Sequence, residues 1–275
     1  MFTKRANCGA TRKAPFFCLG IHAMKRILYQ FPLSHYCEKA RWLLDFKDLE
    51  YSVKNLFPAT HRLFTWSKSQ TGTVPLVKDA KEWIGDSTEL AFYLDAKYTL
   101  RPLLPSDPVL RSRAIIIEEL ADKVGIHVRR WAYSQLLAGE EVISVLVDDY
   151  PYVKPFKKYV APLVRQGITR AYNINAQKGQ ESLLKIQQAI DELEVMLLAN
   201  GGRYFVGDCL GLADITVASM FAPLLSLQDT PWEALKPTNN SMQTLYDQLS
   251  NRPLGQWLVN IYQKERHARG NWRGD

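Results

Sequence analysis

The feature that most constrains this chain is a change of hydrophobic period, repeated in a set order between Met24 and Leu100. Arg26–Phe31 (RILYQF) is apolar and aromatic, the composition of a short strand. After Pro32 and Leu33 the period lengthens. Tyr36, Ala40, Leu43 and Leu44 fall on one face of a helix expected from about Ser34 to Phe46. Glu50–Leu56 alternates as a second strand, and Ala59–Gly72 reads as a short helix with loops. Val74–Val77 and Lys81–Ile84 read as two further strands across a charged turn. Asp86 then opens a helix to about Tyr98, with Glu89 three residues on, close to a capping box.

The order is βαβ followed by ββα. That is too little chain for a six-stranded doubly wound nucleotide fold, and the right amount for a thioredoxin-like module. Arg101–Asp107 (RPLLPSD), with two prolines and an aspartate, reads as a linker. Beyond it no strand pattern occurs. Leu183, Ile186, Ile190, Leu193 and Leu197 recur at spacings of three and four, and helical patterns cover about 108–138, 213–227, 241–250 and 253–266. The expected architecture is therefore α/β plus all-α: a thioredoxin-like domain at 24–100, a linker at 101–107, and an all-helical bundle of five or six helices at 108–275.

The net charge of +7 suggests an acidic partner until it is localised. Residues 1–23 hold Lys4, Arg5, Arg12 and Lys13 with no acid, so +4 of the total sits there. The remaining +3 is not a nucleic-acid-binding balance. Lys154, Lys157, Lys158, Arg165, Arg170 and Lys178 form a basic run without an acid, read as a solvated helix face rather than an anion site. No apolar run reaches the ~18 residues of a membrane span. Four scattered cysteines, Cys8, Cys18, Cys37 and Cys209, make neither a disulfide framework nor a metal site, and imply a reducing compartment. The basic stretch before Met24 has two readings, a targeting peptide or an upstream start assigned ahead of the true Met24. The second is preferred, because its hydrophobic spacing is poor for an amphipathic presequence. A cytoplasmic location follows from it, an organellar one from the first.

Three constellations carry chemistry. Ser34-His35-Tyr36-Cys37 stands at a strand-to-helix junction, where unpaired N–H groups and the helix dipole favour a thiolate or other anion. The plainer reading makes Ser34 a helix cap and Cys37 a small buried side chain. Thr73-Val74-Pro75 precedes a strand, so Pro75 implies a cis bond or an edge position. A cis bond would leave the Val74 backbone free to pair with an extended peptide; an ordinary strand-entry proline is the alternative. Gly85-Asp86-Ser87 at the next helix start offers a carboxylate, a hydroxyl and free N–H groups, which together can grip an α-amino acid head group. Asp86 can equally be no more than a cap.

Taken in order, the run Leu28–Trp42, then Thr73-Val74-Pro75, then Asp86-Ser87, resembles the N-terminal domain of glutathione transferases. Gly207–Ile215 resembles that superfamily's helix-capping motif in the helical domain, and the resemblance covers essentially everything after Met24. It implies that Ser34 hydrogen-bonds the glutathione sulfur, that Val74 before cis-Pro75 pairs with the cysteinyl backbone, and that Asp86 and Ser87 bind the γ-glutamyl group. Lys68, Arg62 and His61 are candidates for the glycyl carboxylate. Asp86 stands where many members have Glu, and Gly211 where Ser or Thr is usual. The implied activity is attack of glutathione, as co-substrate and without a metal, on a small hydrophobic electrophile, with Arg129, Arg130 and Tyr133 as possible liners of its cleft; the preferred reading of those three is the mixed polar face of a long helix. A homodimer is implied, with no nucleic acid or membrane partner. Two alternatives stay open: a glutathione-dependent thiol reductase or isomerase using Cys37, and a binding module of the same fold without turnover.

Overall fold

The computed structural model describes residues 26–275 apart from Ala59, Asp149, Pro151 and Ala234. The readings placed on residues 1–23 and on Met24 lie outside the described residues.

The N-terminal part is a four-stranded mixed sheet with helices. Strand β1 (Ile27–Gln30) stops before Pro32, which cannot donate to a ladder, and α1 (His35–Phe46) starts behind Ser34. Strand β2 (Ser52–Asn55) lies parallel to β1, with Leu28 opposite Val53. Helix α2 (His61–Ser69) follows, resolving the segment whose sequence shows no clear period. Strand β3 (Leu76–Asp79) runs antiparallel to β1, and β4 (Glu82–Ile84) antiparallel to β3, giving the order β2-β1-β3-β4. The third strand starts two residues later than its apolar run suggests. Pro75 has no N–H for the ladder, and the Val74–Pro75 peptide is cis. Helix α3 (Ser87–Lys97) ends this part, with α1 packed against it. The fold is the expected thioredoxin-like arrangement.

The helical part contains α4 (Pro108–Leu136), α5 (Glu140–Val147), α6 (Lys157–Ala171), α7 (Ala176–Ala199), α8 (Leu212–Phe221), α9 (Asn240–Ser250) and α10 (Pro253–Glu265). These exceed the expected five or six because α6 lies where basic residues and Pro162 obscure the apolar spacing. Within that basic run Lys154, Lys158 and Arg170 are exposed, while Lys157 pairs with Asp148 and Arg165 with Glu140. Helix α8 is buried on all sides, packed by α4 and α1, and therefore joins the two halves. Gly211 caps it without a side chain, and Asp214 supplies the remaining half of a capping box, accepting from the Gly211 N–H at 2.9 Å and from the Phe205 N–H at 2.7 Å. The Leu212 N–H also donates to the Leu103 carbonyl at 2.8 Å, which ties the segment between α3 and α4 onto α8. No helix among the described residues is long and apolar enough to cross a membrane.

After α10 the chain returns to the sheet. The Asp275 N–H donates to the Val53 carbonyl at 3.1 Å, and the Val53 N–H donates to the Asp275 carboxylate at 2.6 Å. Gln30 and Asn55 donate to the carbonyls of Trp272 and Arg273. Strand β2 is one edge of the sheet, whose free backbone groups would otherwise offer a template for another strand. The tail covers them.

Candidate functional site

Four short segments converge at the C-terminal end of β1. Ser34 holds extended backbone (φ −85°, ψ 116°), and its Oγ accepts from the Cys37 N–H at 3.3 Å. That bond uses an acceptor position, so the Ser34 O–H remains able to donate elsewhere. Ser34 is half-buried, whereas Cys37 is wholly buried. Burial pushes the Cys37 thiol above its ordinary pKa, and the neighbouring Ser34 side chain offsets this only partly.

The cis Val74–Pro75 bond sits at the entry to β3, and no other described backbone group bonds the Val74 N–H or C=O. At the start of α3, one oxygen of Asp86 accepts from the Thr88 and Glu89 N–H groups at 2.7 and 3.1 Å. Asp86 is exposed, and Ser87 beside it is buried with its hydroxyl unpartnered. Gly85 makes the turn possible: a Cβ there would stand 2.3 Å from the Ser69 Cβ. Among the candidates for the glycyl carboxylate, Lys68 lies over the Trp83 ring and Arg62 is exposed. His61 packs edge-on against Phe31, at the approach to Ser34.

Residues 28–102 match the model of the family described as glutathione S-transferase, N-terminal domain. Two curated relatives extend the likeness beyond that domain. Glutathione S-transferase 1 of Dianthus caryophyllus is 26% identical over 202 residues, which is 70% of this chain and 75% of the relative. Glutathione S-transferase Z2 of Arabidopsis thaliana is 27% identical over 194 residues, 70% of this chain and 73% of the relative. Over these residues the chain is similar to glutathione transferases. The fold agrees with that of a glutathione S-transferase from Methylobacterium radiotolerans, solved with glutathione sulfonate, at a TM-score of 0.52 and 20% identity over 86% of this chain and 94% of the other.

Around this candidate site lie charged residues that sequence reading did not single out. Lys39 is fully buried; its Nζ pairs with Glu118, donates to Thr88 Oγ1 at 2.9 Å, and lies 3.3 Å from Asp122. One ammonium thus joins α1, the first turn of α3, and α4. Its position was recoverable: Lys39 falls three residues after Tyr36 and four before Leu43, on the apolar face of α1. Among the expected cleft liners, Arg129 and Tyr133 line a small cavity with His35, while Arg130 donates to the Tyr172 carbonyl at 3.0 Å.

His35 is 2% exposed, and burial together with the nearby Arg129 charge lowers its pKa to about 3, against a hydrogen bond with the Gly125 backbone. It is therefore neutral in the fold, while the unfolded chain takes a proton below about 6.5. The stability this lends is present above pH 6.5 and lost as pH falls towards 3, about 5 kcal/mol at most by linkage. The variant His35→Asn is expected to lose less stability than the unsubstituted chain between pH 7 and pH 4, measured by urea unfolding. Parallel pH profiles would count against a buried neutral imidazole.

Proposed function

We propose that this chain activates the thiol of glutathione and transfers it to a small electrophile. The observation that carries this reading is the contrast between Ser34 and Cys37. Ser34 is half-buried at the N-terminus of α1 with a hydroxyl able to donate, whereas the Cys37 thiol is sealed in the core. A reductase or isomerase needs an accessible thiolate, and burial works against one at Cys37.

In this reading the γ-glutamyl amine meets Asp86, the carboxylate meets Ser87 and the α3 N-terminus, and the cysteinyl backbone pairs with Val74 ahead of Pro75. The sulfur then lies at the α1 N-terminus beside Ser34. The thiol gives its proton to solvent, and the helix end and the Ser34 hydroxyl stabilise the thiolate. Sulfur bonds to the electrophilic carbon, and the leaving group departs with its electron pair. Residues 24–100 and 108–275 serve as the two domains, with 101–107 between them. From family resemblance, the reading extends to a homodimer working in the cytoplasm.

Calorimetry with glutathione tests the site. Asp86→Asn keeps a side chain that caps a helix as well as Asp does, so the fold is preserved while the charge facing the amine is lost. Affinity for glutathione is expected to fall about tenfold. No heat of binding from the unsubstituted chain at millimolar glutathione would overturn the reading, as would full affinity in Asp86→Asn.

A further inference from the structure

Arg129 on α4 has an unusual setting for a guanidinium. It is half-buried, and no carboxylate of the described residues lies within ion-pairing distance of it. Its neighbours are rings: Tyr172 with its centroid 4.1 Å from the guanidinium carbon, and Tyr36 at 5.6 Å. Tyr172 is held in turn, stacked on Tyr133 at 5.7 Å with the ring planes 2° apart, its carbonyl accepting from Arg130. The guanidinium is therefore positioned by its surroundings, with no acid to neutralise it.

Two polar atoms nearby are buried and lack partners, Arg129 Nε and His35 Nε2. Both residues line one cavity of about 30 Å³, walled mainly by Leu33, Leu136, Val142 and Trp232. A single water needs roughly 10–15 Å³, so this space takes a group of a few heavy atoms, not a whole substrate. Leu33 and His35 flank Ser34 in the chain, which places the cavity next to the position proposed for the glutathione sulfur. Buried polar atoms are ordinarily paired, and an unpaired cation among apolar walls is costly. An anionic ligand group would satisfy both.

We infer that this cavity is an acid-recognising pocket of the electrophile site, in which Arg129 binds a carboxylate carried by the substrate. The inference rests on the conjugation reading above and narrows its substrate class to small apolar or aromatic acids. His35, neutral, adds a hydrogen-bonding edge without a second charge, so the pocket takes one anionic group. The stacked rings hold the guanidinium in orientation, reducing what ordering it would cost on binding.

The test compares 4-chloro-3,5-dinitrobenzoate with its methyl ester, two aryl halides with the same leaving group, one charged and one neutral. For Arg129→Gln the ratio of kcat/KM for the acid to that for the ester is expected to drop about tenfold to a hundredfold, mostly through KM. Arg129→Lys should recover part of the ratio. Binding of 3,5-dinitrobenzoate, followed by quenching of tryptophan fluorescence with Trp232 in the cavity wall, needs neither turnover nor glutathione and should weaken in step. Equal loss for acid and ester, or no loss of nitrobenzoate binding, overturns the inference. Loss of glutathione affinity in Arg129→Gln with the acid-to-ester ratio intact also overturns it, because Arg129 would then serve glutathione. If the unsubstituted chain binds 3,5-dinitrobenzoate through Arg129 but no glutathione, the pocket stands and the conjugation reading falls.

Discussion

Replacing Arg266 with methionine is expected to cost the fold about 3 kcal/mol. Arg266 follows α10, and its guanidinium reaches into the N-terminal part, donating to Glu38 at 2.7 Å and to Asp45 at 2.6 Å. All three side chains are buried, at 6%, 5% and 2% exposed. Removing the cation leaves two carboxylates out of water, which costs far more than the pair itself contributes. Two features limit the loss. Glu38 keeps Arg41 at 2.6 Å, and Asp45, already pushed upward by burial, can take up a proton. Chemical unfolding of Arg266→Met and of Arg266→Met/Asp45→Asn gives the coupling. The second substitution should do less harm in the variant than in the unsubstituted chain. Arg266 and Arg41 hold the pKa of Glu38 down to about 2 despite burial. The stability from Glu38 is therefore present above its unfolded value near 4.3 and lost as pH falls towards 2, so the gap between variant and parent should narrow over that window. A loss under 1 kcal/mol at neutral pH would mean that the pair behaves as a solvated one.

This cluster shows what kind of feature sequence reading misses. The order βαβ-ββα was legible because each element announces itself locally: Pro32 closes a strand, the spacing of Tyr36, Ala40, Leu43 and Leu44 opens a helix, and Asp86 caps another. Arg266 and Glu38 are 228 residues apart, and nothing local to either distinguishes it from a solvated surface charge. The tail after α10 has no apolar period, so its place on β2 depends on an edge that exists only once the sheet has formed. The candidate site was legible for the same reason as the strands, since its groups sit at element ends, where Ser, Pro, Gly and Asp do recognisable work on the backbone. Arg129 and His35 stood in plain view as residue types. Their meaning lay in what is missing, a counter-ion for Arg129 and a partner for His35 Nε2, and only packing reveals that.

The second large effect concerns Ser34. The variant Ser34→Ala is expected to reduce turnover of glutathione with a neutral aryl halide about a hundredfold, the scale of losing one preorganised donor to a developing anion. Part of any change could come from the helix, since the alanine also removes the side-chain cap on the Cys37 N–H. That bond is long at 3.3 Å, and capping losses run about 1 kcal/mol of stability, measurable separately by thermal unfolding. The two causes differ in their pH dependence. Loss of a cap leaves the ionisation of bound glutathione unchanged, whereas loss of the donor moves the rising limb of kcat/KM up towards an unperturbed thiol near 8.5. Affinity for glutathione should change little, because in the proposed reading Val74, Asp86 and Ser87 hold the rest of the tripeptide. Cys37→Ala provides the opposing control. Its sulfur is wholly buried with a raised pKa, so turnover should survive its removal. If Cys37→Ala abolishes activity while Ser34→Ala keeps it, α1 must open to expose the thiol, and thiol exchange replaces conjugation as the chemistry of this site.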